Sequence, residues 1–587
     1  MTTTTSSTTA SEIAQSILEP ADCFSFAGWQ QFVEHLSQRS GESNGSPAGI
    51  DDELDDLFGQ QDQPLLWGLP VISQTDAGQH LIRAAKLHDA STAVVSAEKD
   101  LLSWLNSLGE NSNSDIHTLA IGISVVAVLP KLAESCEEAN WLAAAEQVAA
   151  MANADHQCLL STLLVNELRL MIGLQFPELK CFDQYASQAH RQLESQLEEL
   201  LDADGAILSK HVQDIPAILG SWTRTLLLLD HASMELDDEP QERWEWFVRY
   251  SMRLLRSDGT HMLGSNDVPF HLHLYKTATK VSNDKNDRLI ARGLLPGGNP
   301  KNKKVKMLHE EGTFSEWAGL AVFQQDWNAD SPRVAVALDE EKFRMEVCRG
   351  SKLFELTGLP DVSINGKTLQ TDDEWEEVGS HFDDDIDYLE LELDLDDDVT
   401  LQRQLCLIHD DEMLLIADSV FCKSAERIDY RNEWTLADSI TPMQESENNE
   451  YYLRQKEIRS LVLPLNLSEW QSANSDDKIQ ATDQKLTVSQ SVLGKTLYSP
   501  VWVSLNPEAS VQPRTWRKLS VSEAMQTVSD DVARAYRVRI GDNQWVFYKS
   551  FGEVGNRTFL GQNQTSDLFI GKFLEDGNVE ELLAIDP

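Results

Sequence analysis

Residues 388–395 read Tyr-Leu-Glu-Leu-Glu-Leu-Asp-Leu. Successive side chains of a strand point to opposite faces, so this alternation predicts a strand with one leucine face and one acidic face. Further strand candidates follow Trp317, namely 401–407, 412–421, 458–463, 498–505, 534–540 and 544–549. Many strands without intervening helices predict antiparallel sandwich sheets. The acid-rich stretch 383–398 is interpreted as a solvated sheet face or edge.

The chain before this region has a different periodicity. From about residue 77 to residue 280 the apolar side chains recur at helical spacing. The helix candidates are 116–132, 140–151, 157–174, 185–201, 214–230 and 240–255, with a short one near 26–36. Short connections between them favour antiparallel helical hairpins packed side by side. Two large domains follow: an α-helical domain at 61–281 and an antiparallel β-sandwich at 314–587.

Two polar segments flank the helical domain. Residues 1–60 are rich in Ser, Gly and Asp, and we expect most of this segment to be disordered. Residues 282–313 contain turn formers and the basic run from Lys301 to Lys306, which predicts a connector. Such a lysine run is most often a solvated loop, although it could also line a groove for an anionic sugar.

Composition narrows the function. The 587 residues include 96 acidic and 48 basic side chains, a formal net charge of −48. This charge repels phosphate backbones and anionic lipid, so we expect neither a nucleic-acid nor a membrane partner. No apolar run is long enough to span a membrane, and the Thr/Ser-rich start does not resemble a secretory signal. Seven scattered cysteines without a CxxC pair favour reduced thiols and a cytoplasmic location.

Five stretches, together with the order of the two halves, resemble the heparinase II/III-like polysaccharide lyases. They are 200–205 (LLDADG), 258–267 (DGTHMLGSND), 317–323 (WAGLAVF), 362–367 (VSINGK) and 403–420. The resemblance implies an incomplete (α/α) toroid followed by a β-sandwich. It also implies β-elimination beside a uronic-acid carboxylate, with an acidic oligo- or polysaccharide bound in the cleft between the domains. That reaction requires neutralisation of the carboxylate, a base for the C5 proton and an acid for the leaving oxygen.

The sequence departs from the family pattern at its catalytic motifs. It contains no Asn-His dipeptide, and residues 206–213 read Ala-Ile-Leu-Ser-Lys-His-Val-Gln where a Glu and a Tyr are usual. Residues 342–347 read Lys-Phe-Arg-Met-Glu-Val where the family carries a histidine-bearing strand. Either the catalytic set has been replaced, or the scaffold has lost the reaction.

The best remaining cluster is His261, His271, His273 and Tyr275. If 269–279 is helical, His271 and Tyr275 are four residues apart on one face, where one could polarise the other, and His273 points elsewhere. If it is a strand, His271, His273 and Tyr275 share a face. We interpret His271 and Tyr275 as catalytic candidates and His273 as a substrate-binding one, against the alternative of an ordinary amphipathic edge. No cofactor and no metal are expected, because His-x-His without a nearby carboxylate is a weak zinc signal.

Three further candidates precede this cluster. His211 lies in a predicted loop before a helix, where the resemblance places active residues, and it is a candidate base. Arg224 could bind a substrate carboxylate through two hydrogen bonds, and Trp222 could stack on a sugar face. The simpler interpretations are a loop or cap position for His211 and a buried Trp beside a surface Arg.

Two alternatives to a lyase remain. The motifs of nucleotide-binding folds, zinc proteases and serine hydrolases are absent from the sequence. A glycosidase on a helical toroid competes, since 96 acidic residues offer many carboxylate pairs. The second alternative is a carbohydrate-binding or scaffold protein that kept the architecture without the reaction.

Overall fold

The structure is a computed structural model. It describes residues 28–41, 65, 67–69, 90–107, 116–154, 158–264, 268–298, 308, 312–339, 342–445, 447–471, 477–482, 484–553 and 555–586. Contacts divide the chain into two compact units. The first takes in the chain up to Ile207, His211–Met252 and Gly259–Ala291; the second takes in Leu208–Lys210, Arg253–Asp258 and the chain from Arg292 onward.

The described residues contain ten α-helices, all before residue 295. They are α1 (Trp29–Gly41), α2 (Ala90–Ser107), α3 (Ile116–Leu132), α4 (Glu138–Ala152), α5 (Leu159–Gln175), α6 (Tyr185–Leu200), α7 (Ile215–His231), α8 (Asp238–Arg253), α9 (Leu272–Val281) and α10 (Lys285–Leu294). Helix α3 is buried on almost every side, as expected of a helix that is apolar all round.

Two helices lie in segments that the sequence analysis assigned to other roles. Helix α1 overlaps the short helix expected near 26–36 but begins at Trp29 and continues to Gly41. Trp29 and Phe32 pack on Trp141 at ring-centroid distances of 5.3 and 5.4 Å. Most of the segment predicted to be disordered, 1–60, lies outside the described residues. Helix α10 lies within the predicted connector and buries Ile290 and Leu294, which are four residues apart. The basic run 301–306 lies outside the described residues.

The described residues from 313 onward contain twenty-five strands. They are β1 (Thr313–Ser315), β2 (Leu320–Gln324), β3 (Pro332–Asp339), β4 (Lys342–Arg349), β5 (Ser351–Thr357), β6 (Asp361–Ile364), β7 (Lys367–Thr368), β8 (Glu376–Phe382), β9 (Ile386–Asp396), β10 (Val399–Ile408), β11 (Met413–Leu436), β12 (Thr441–Gln444), β13 (Tyr451–Arg454), β14 (Ile458–Pro464), β15 (Lys478–Thr482), β16 (Lys485–Ser504), β17 (Arg514–Leu519), β18 (Ser522–Glu523), β19 (Gln526–Thr527), β20 (Ala533–Ile540), β21 (Asn543–Ser550), β22 (Arg557–Phe559), β23 (Gln562–Gln564), β24 (Leu568–Phe573) and β25 (Val579–Ile585). The predicted fold class, helices followed by antiparallel β-sheets, is confirmed.

The strands form three sheets with antiparallel pairing. The largest has sixteen strands, with the order β1-β2-β3-β4-β5-β11-β16-β14-β13-β12 along its main path. A five-stranded sheet, β17-β20-β21-β24-β25, packs on it through a core that includes Trp502 and Trp545. A four-stranded sheet, β19-β18-β22-β23, adds a smaller core in which Tyr548 stacks on Phe559 at 5.0 Å.

The prediction that the acid-rich stretch forms a solvated face is wrong at the start of β9 and confirmed at its end. Asp387 and Glu390 are buried, whereas Asp394 and Asp396 are exposed. Glu390 accepts a hydrogen bond from the ammonium of Lys549 on β21 at 2.9 Å. The five-stranded sheet therefore covers the acidic face at Glu390, and Lys549 stabilises that buried acid. Asp387 lies on the opposite, leucine face, where it contacts His409 at 2.9 Å.

Candidate functional site

The first unit contains a pocket at the start of helix α9. Two segments, 259–264 and 268–275, form most of its lining. Gln213, directly before α7, Pro216 in α7 and Gly68 form the rest. Gly259 has a φ of +86°, and a Cβ at this position would lie 2.6 Å from the ring of Phe270. Only glycine fits here, because the turn requires both a left-handed backbone and the close approach of an aromatic ring.

Tyr275 and His261 form the central pair of this pocket. The phenol oxygen of Tyr275 is hydrogen-bonded to Nε2 of His261, and the two rings are stacked with centroids 6.0 Å apart. Phe270 stacks on Tyr275 at 5.7 Å. Tyr275 is 2% exposed, and burial raises the pKa of its phenol well above the usual range. The phenol therefore keeps its proton at neutral pH, as an acid that donates to a leaving group must.

His271 lies in the same pocket, four residues before Tyr275. It is the N-cap of α9, with an extended backbone (φ −117°, ψ 97°), so the helix begins one residue after it. The helical alternative in the sequence analysis therefore describes this segment better than the strand. His273 is exposed and is not among the residues that line the pocket, as that alternative predicted.

The pocket is narrow. Its remaining space is about 20 Å³, which holds roughly one water-sized group. Its described lining contains the imidazoles of His261 and His271, the phenol of Tyr275 and the amide of Gln213, but no carboxylate. These groups can donate, accept and transfer protons. Among the described residues, no group of three or more His, Cys, Asp or Glu side chains could hold a metal ion.

His211 lies in a short 3-10 helix, Ser209–Asp214, directly before α7. Its side chain is half-buried and does not belong to the described lining of the pocket. Gln213, two residues later, does belong to that lining, and the sequence analysis did not select it. The only available signal was its position in the segment where the resemblance places active residues.

Trp222 and Arg224 lie in the interior of the first unit. Trp222 is 1% exposed and packs edge-on against Phe247 at 5.2 Å. The guanidinium of Arg224 forms two hydrogen bonds with the carboxylate of Glu167, at 2.6 and 2.8 Å. Neither residue lines the pocket. This arrangement gives no support to the substrate contacts predicted for them and agrees with the simpler interpretation of a buried Trp, although Arg224 is buried as well.

The second unit contains the strand for which the resemblance implies a histidine. This strand is β4, whose Phe343, Met345 and Val347 point into the core. On its other face Glu346 is 1% exposed and forms a two-bond ion pair with Arg256, at 2.7 and 2.8 Å. The position thus holds a satisfied ion pair instead of a group that transfers protons at neutral pH.

Comparison with solved structures shows the fold. A structure titled heparinase III is 12% identical, with a TM-score of 0.60 over 89% of this chain and 95% of that one. A heparinase III gene product is also 12% identical, with a TM-score of 0.58 over 89% and 94% of the two chains. The heparan sulfate lyase HepC from Pedobacter heparinus is 10% identical, with a TM-score of 0.53 over the same shares.

Sequence comparison adds no relative: no protein-family model and no curated protein matches this chain. The resemblance predicted from the five stretches is confirmed at the level of the fold, since the heparinase III structures are similar over most of both chains. In the part of the chain that the structure describes, no helix is both long and apolar enough to cross a membrane.

Proposed function

We propose that this chain, which has the fold of heparinase III, cleaves uronate-containing glycans by β-elimination in the pocket around Tyr275. The observation that carries the proposal is the hydrogen bond between Tyr275 and His261, in a pocket that His271 also lines. A phenol and an imidazole side by side are suited to moving one proton off a sugar ring and another onto its leaving oxygen.

The proposed roles follow from the chemistry of each group and its place in the pocket. Tyr275 acts as the acid, because its phenol carries a proton and is hydrogen-bonded to His261, which can exchange protons with it. His271 acts as the base that takes the proton from C5 of the uronate. The electrons of that C–H bond form the C4–C5 double bond, the C4–O bond breaks, and the leaving oxygen takes the proton of Tyr275. The amide of Gln213 hydrogen-bonds the carboxylate, which makes the C5 proton more acidic.

The pocket favours a lyase over a glycosidase. A glycosidase needs a pair of carboxyl groups, one on each side of the scissile bond. The described lining of this pocket supplies none, whereas it supplies two imidazoles and a phenol. We also propose a cytoplasmic location, which agrees with the six described cysteines, all of them free thiols.

A second candidate function is glycan binding without cleavage. Two observations favour it: the pocket now holds roughly one water-sized group, and Arg224 is paired with Glu167 instead of facing a substrate. An acidic sugar would then bind the scaffold without reaching Tyr275.

The test is an ultraviolet assay for unsaturated uronate on heparan sulfate, chondroitin sulfate, hyaluronan and alginate. We expect product from at least one polymer, and a loss of about 10²–10⁴-fold in kcat/KM for Tyr275→Phe. Tyr185→Phe is the matched control, because Tyr185 lies on α6 and hydrogen-bonds Asn153 away from the pocket. Glycan binding without product would support the second candidate. The absence of both binding and product would overturn both candidate functions.

A further inference from the structure

The second unit contains a polar groove that the proposed reaction does not use. It has a volume of about 620 Å³ and lies between β12, β13, β15 and the loop that follows β14. Five of its lining side chains are amides: Gln444, Asn449, Asn466, Gln471 and Gln480. Amides present a donor and an acceptor together, the pattern that matches a sugar hydroxyl.

Several of these groups are held in place by other hydrogen bonds. Tyr451 donates its phenol proton to Oε1 of Gln444 at 3.0 Å and accepts from the backbone N–H of Ala481 at 3.2 Å. The amide of Gln471 donates to the carbonyl of Asn448 at 2.8 Å. The groove is therefore fixed before any ligand arrives, which reduces the entropy that binding would cost.

Asn466 differs from its neighbours. Both polar atoms of its amide are buried, and neither has a hydrogen-bond partner among the described residues. A buried amide without partners is costly, because its donor and acceptor have lost water without gaining another partner. A hydroxyl that both donates and accepts, placed in the groove, would remove this cost.

Trp470 stands beside the groove on the same loop. It is 61% exposed, and the next residue, Gln471, lines the groove. Its backbone is fixed, because the carbonyl of Trp470 accepts hydrogen bonds from the hydroxyl of Ser468 at 2.6 Å and the amide of Asn449 at 3.4 Å. Covering a large apolar ring that is exposed to water is favourable, because apolar surface is removed from the solvent. The C–H face of a pyranose ring is an apolar surface of suitable size.

From the amides, the buried Asn466 and the exposed Trp470 together, we propose that this groove binds a neutral oligosaccharide of pyranose units. One sugar stacks on Trp470, and a hydroxyl of its neighbour hydrogen-bonds Asn466. A neutral ligand fits because the only charged residues in the described lining, Asp477 and Lys478, have opposite signs. The site is independent of the Tyr275 pocket and holds glycan without cleaving it.

The experiment titrates the full chain with cellohexaose, laminarihexaose and maltohexaose, followed by tryptophan fluorescence and calorimetry. We expect saturable binding of at least one hexasaccharide, weakened about tenfold or more in Trp470→Ala and in Asn466→Ala. Trp317→Ala is the matched control, because Trp317 is also in the second unit and is 51% exposed. This variant should bind as the wild type does.

Three results would overturn the proposal. The first is no binding of any of the three neutral hexasaccharides at millimolar concentration. The second is an equal loss of affinity in Trp470→Ala and Trp317→Ala. The third is binding that depends on Trp470 but is seen only with an acidic hexasaccharide, which would show that the ligand class is wrong. Since the lyase assay reads out Tyr275 and this titration reads out Trp470, failure of one is distinguishable from failure of the other.

Discussion

Arg224 and Glu167 form a buried, two-bond ion pair between helices α7 and α5. Nε of Arg224 lies 2.6 Å from Oε1 of Glu167, and Nη2 lies 2.8 Å from Oε2. Both side chains are 2% exposed, and the hydroxyl of Ser221 donates to the same carboxylate at 3.2 Å. Two charges in an apolar interior must satisfy each other, so the pair stabilises the helix packing only while both members are present.

Removal of one member should therefore destabilise the protein strongly. We expect Arg224→Met to lower the free energy of unfolding by about 3–5 kcal/mol, because the Glu167 carboxylate is left buried without a counter-charge. The double variant Arg224→Met/Glu167→Leu should recover more than half of this loss. Urea unfolding of the full chain measures both effects.

The control for this experiment is Glu239→Gln. Glu239 pairs with Arg243 one helical turn away, but its side chain is 67% exposed. Such a pair contributes about 0–1 kcal/mol, so the control should unfold close to the wild type. Equal unfolding midpoints for Arg224→Met and the wild type would show that the pair does not stabilise the fold.

Periodicity was sufficient to predict the main elements of the fold. The leucine alternation at 388–395 lies within β9, and the helix predicted at 116–132 is α3. The strands predicted at 534–540 and 544–549 are present as β20 and β21, which pair with each other from Ile540 and Asn543 onward. These features depend on residues that are close to one another in the sequence, so the pattern of apolar and polar residues is enough to predict them.

The side-chain partners could not be predicted in this way. Glu167 and Arg224 are 57 residues apart, and His261 and Tyr275 are 14 apart across a turn. The sequence analysis placed all four members of the histidine and tyrosine cluster near one another but could not choose which pair would meet. That choice depends on where α9 begins, and its N-cap at His271 has no side-chain capping bond to mark it.

Gly205 provides a test of the turn that the sequence analysis quoted at 200–205. Its φ is +75°, and an added Cβ would lie 2.3 Å from the backbone nitrogen of Phe247 on α8. We expect Gly205→Ala to lower the free energy of unfolding by at least about 1–3 kcal/mol, since it adds backbone strain to a contact with a rigid helix. Thermal unfolding followed by circular dichroism measures the change.

The variant Gly366→Ala separates the cost of backbone strain from the cost of the contact with helix α8. Gly366 has a similar φ of +81°, but a Cβ there would meet no atom within 4 Å. It should therefore show only the cost of the backbone conformation, about 1–2 kcal/mol. A Gly205→Ala variant no less stable than Gly366→Ala would mean that helix α8 moves away from the turn at little cost.

The second unit contains a buried titratable pair, His409 and Asp387. Nε2 of His409 lies 2.9 Å from Oδ2 of Asp387, and both side chains are fully buried. Nδ1 of His409 lies 2.9 Å from the carbonyl of Asp384, which can only accept, so this nitrogen carries a proton. The carboxylate beside Nε2 stabilises the positive charge of a protonated imidazole. Asp387 raises the pKa of His409 through this contact, although burial alone would lower it.

The pair should make stability depend on pH in one direction. Because the pKa of His409 is higher in the folded state than its ordinary value of 6.5, its contribution is fully present below about pH 6.5 and is lost as the pH rises through the raised pKa. Burial also raises the pKa of Asp387, which acts in the same direction. Each unit by which the pKa is raised corresponds to about 1.4 kcal/mol. We expect the wild type to lose stability as the pH rises above about 6.5, and His409→Gln to lose clearly less. His381→Gln, which removes the exposed partner of Asp383, should follow the wild type. Parallel curves for the wild type and His409→Gln in urea unfolding would show that the pair releases its proton as readily in the folded chain as in the unfolded one.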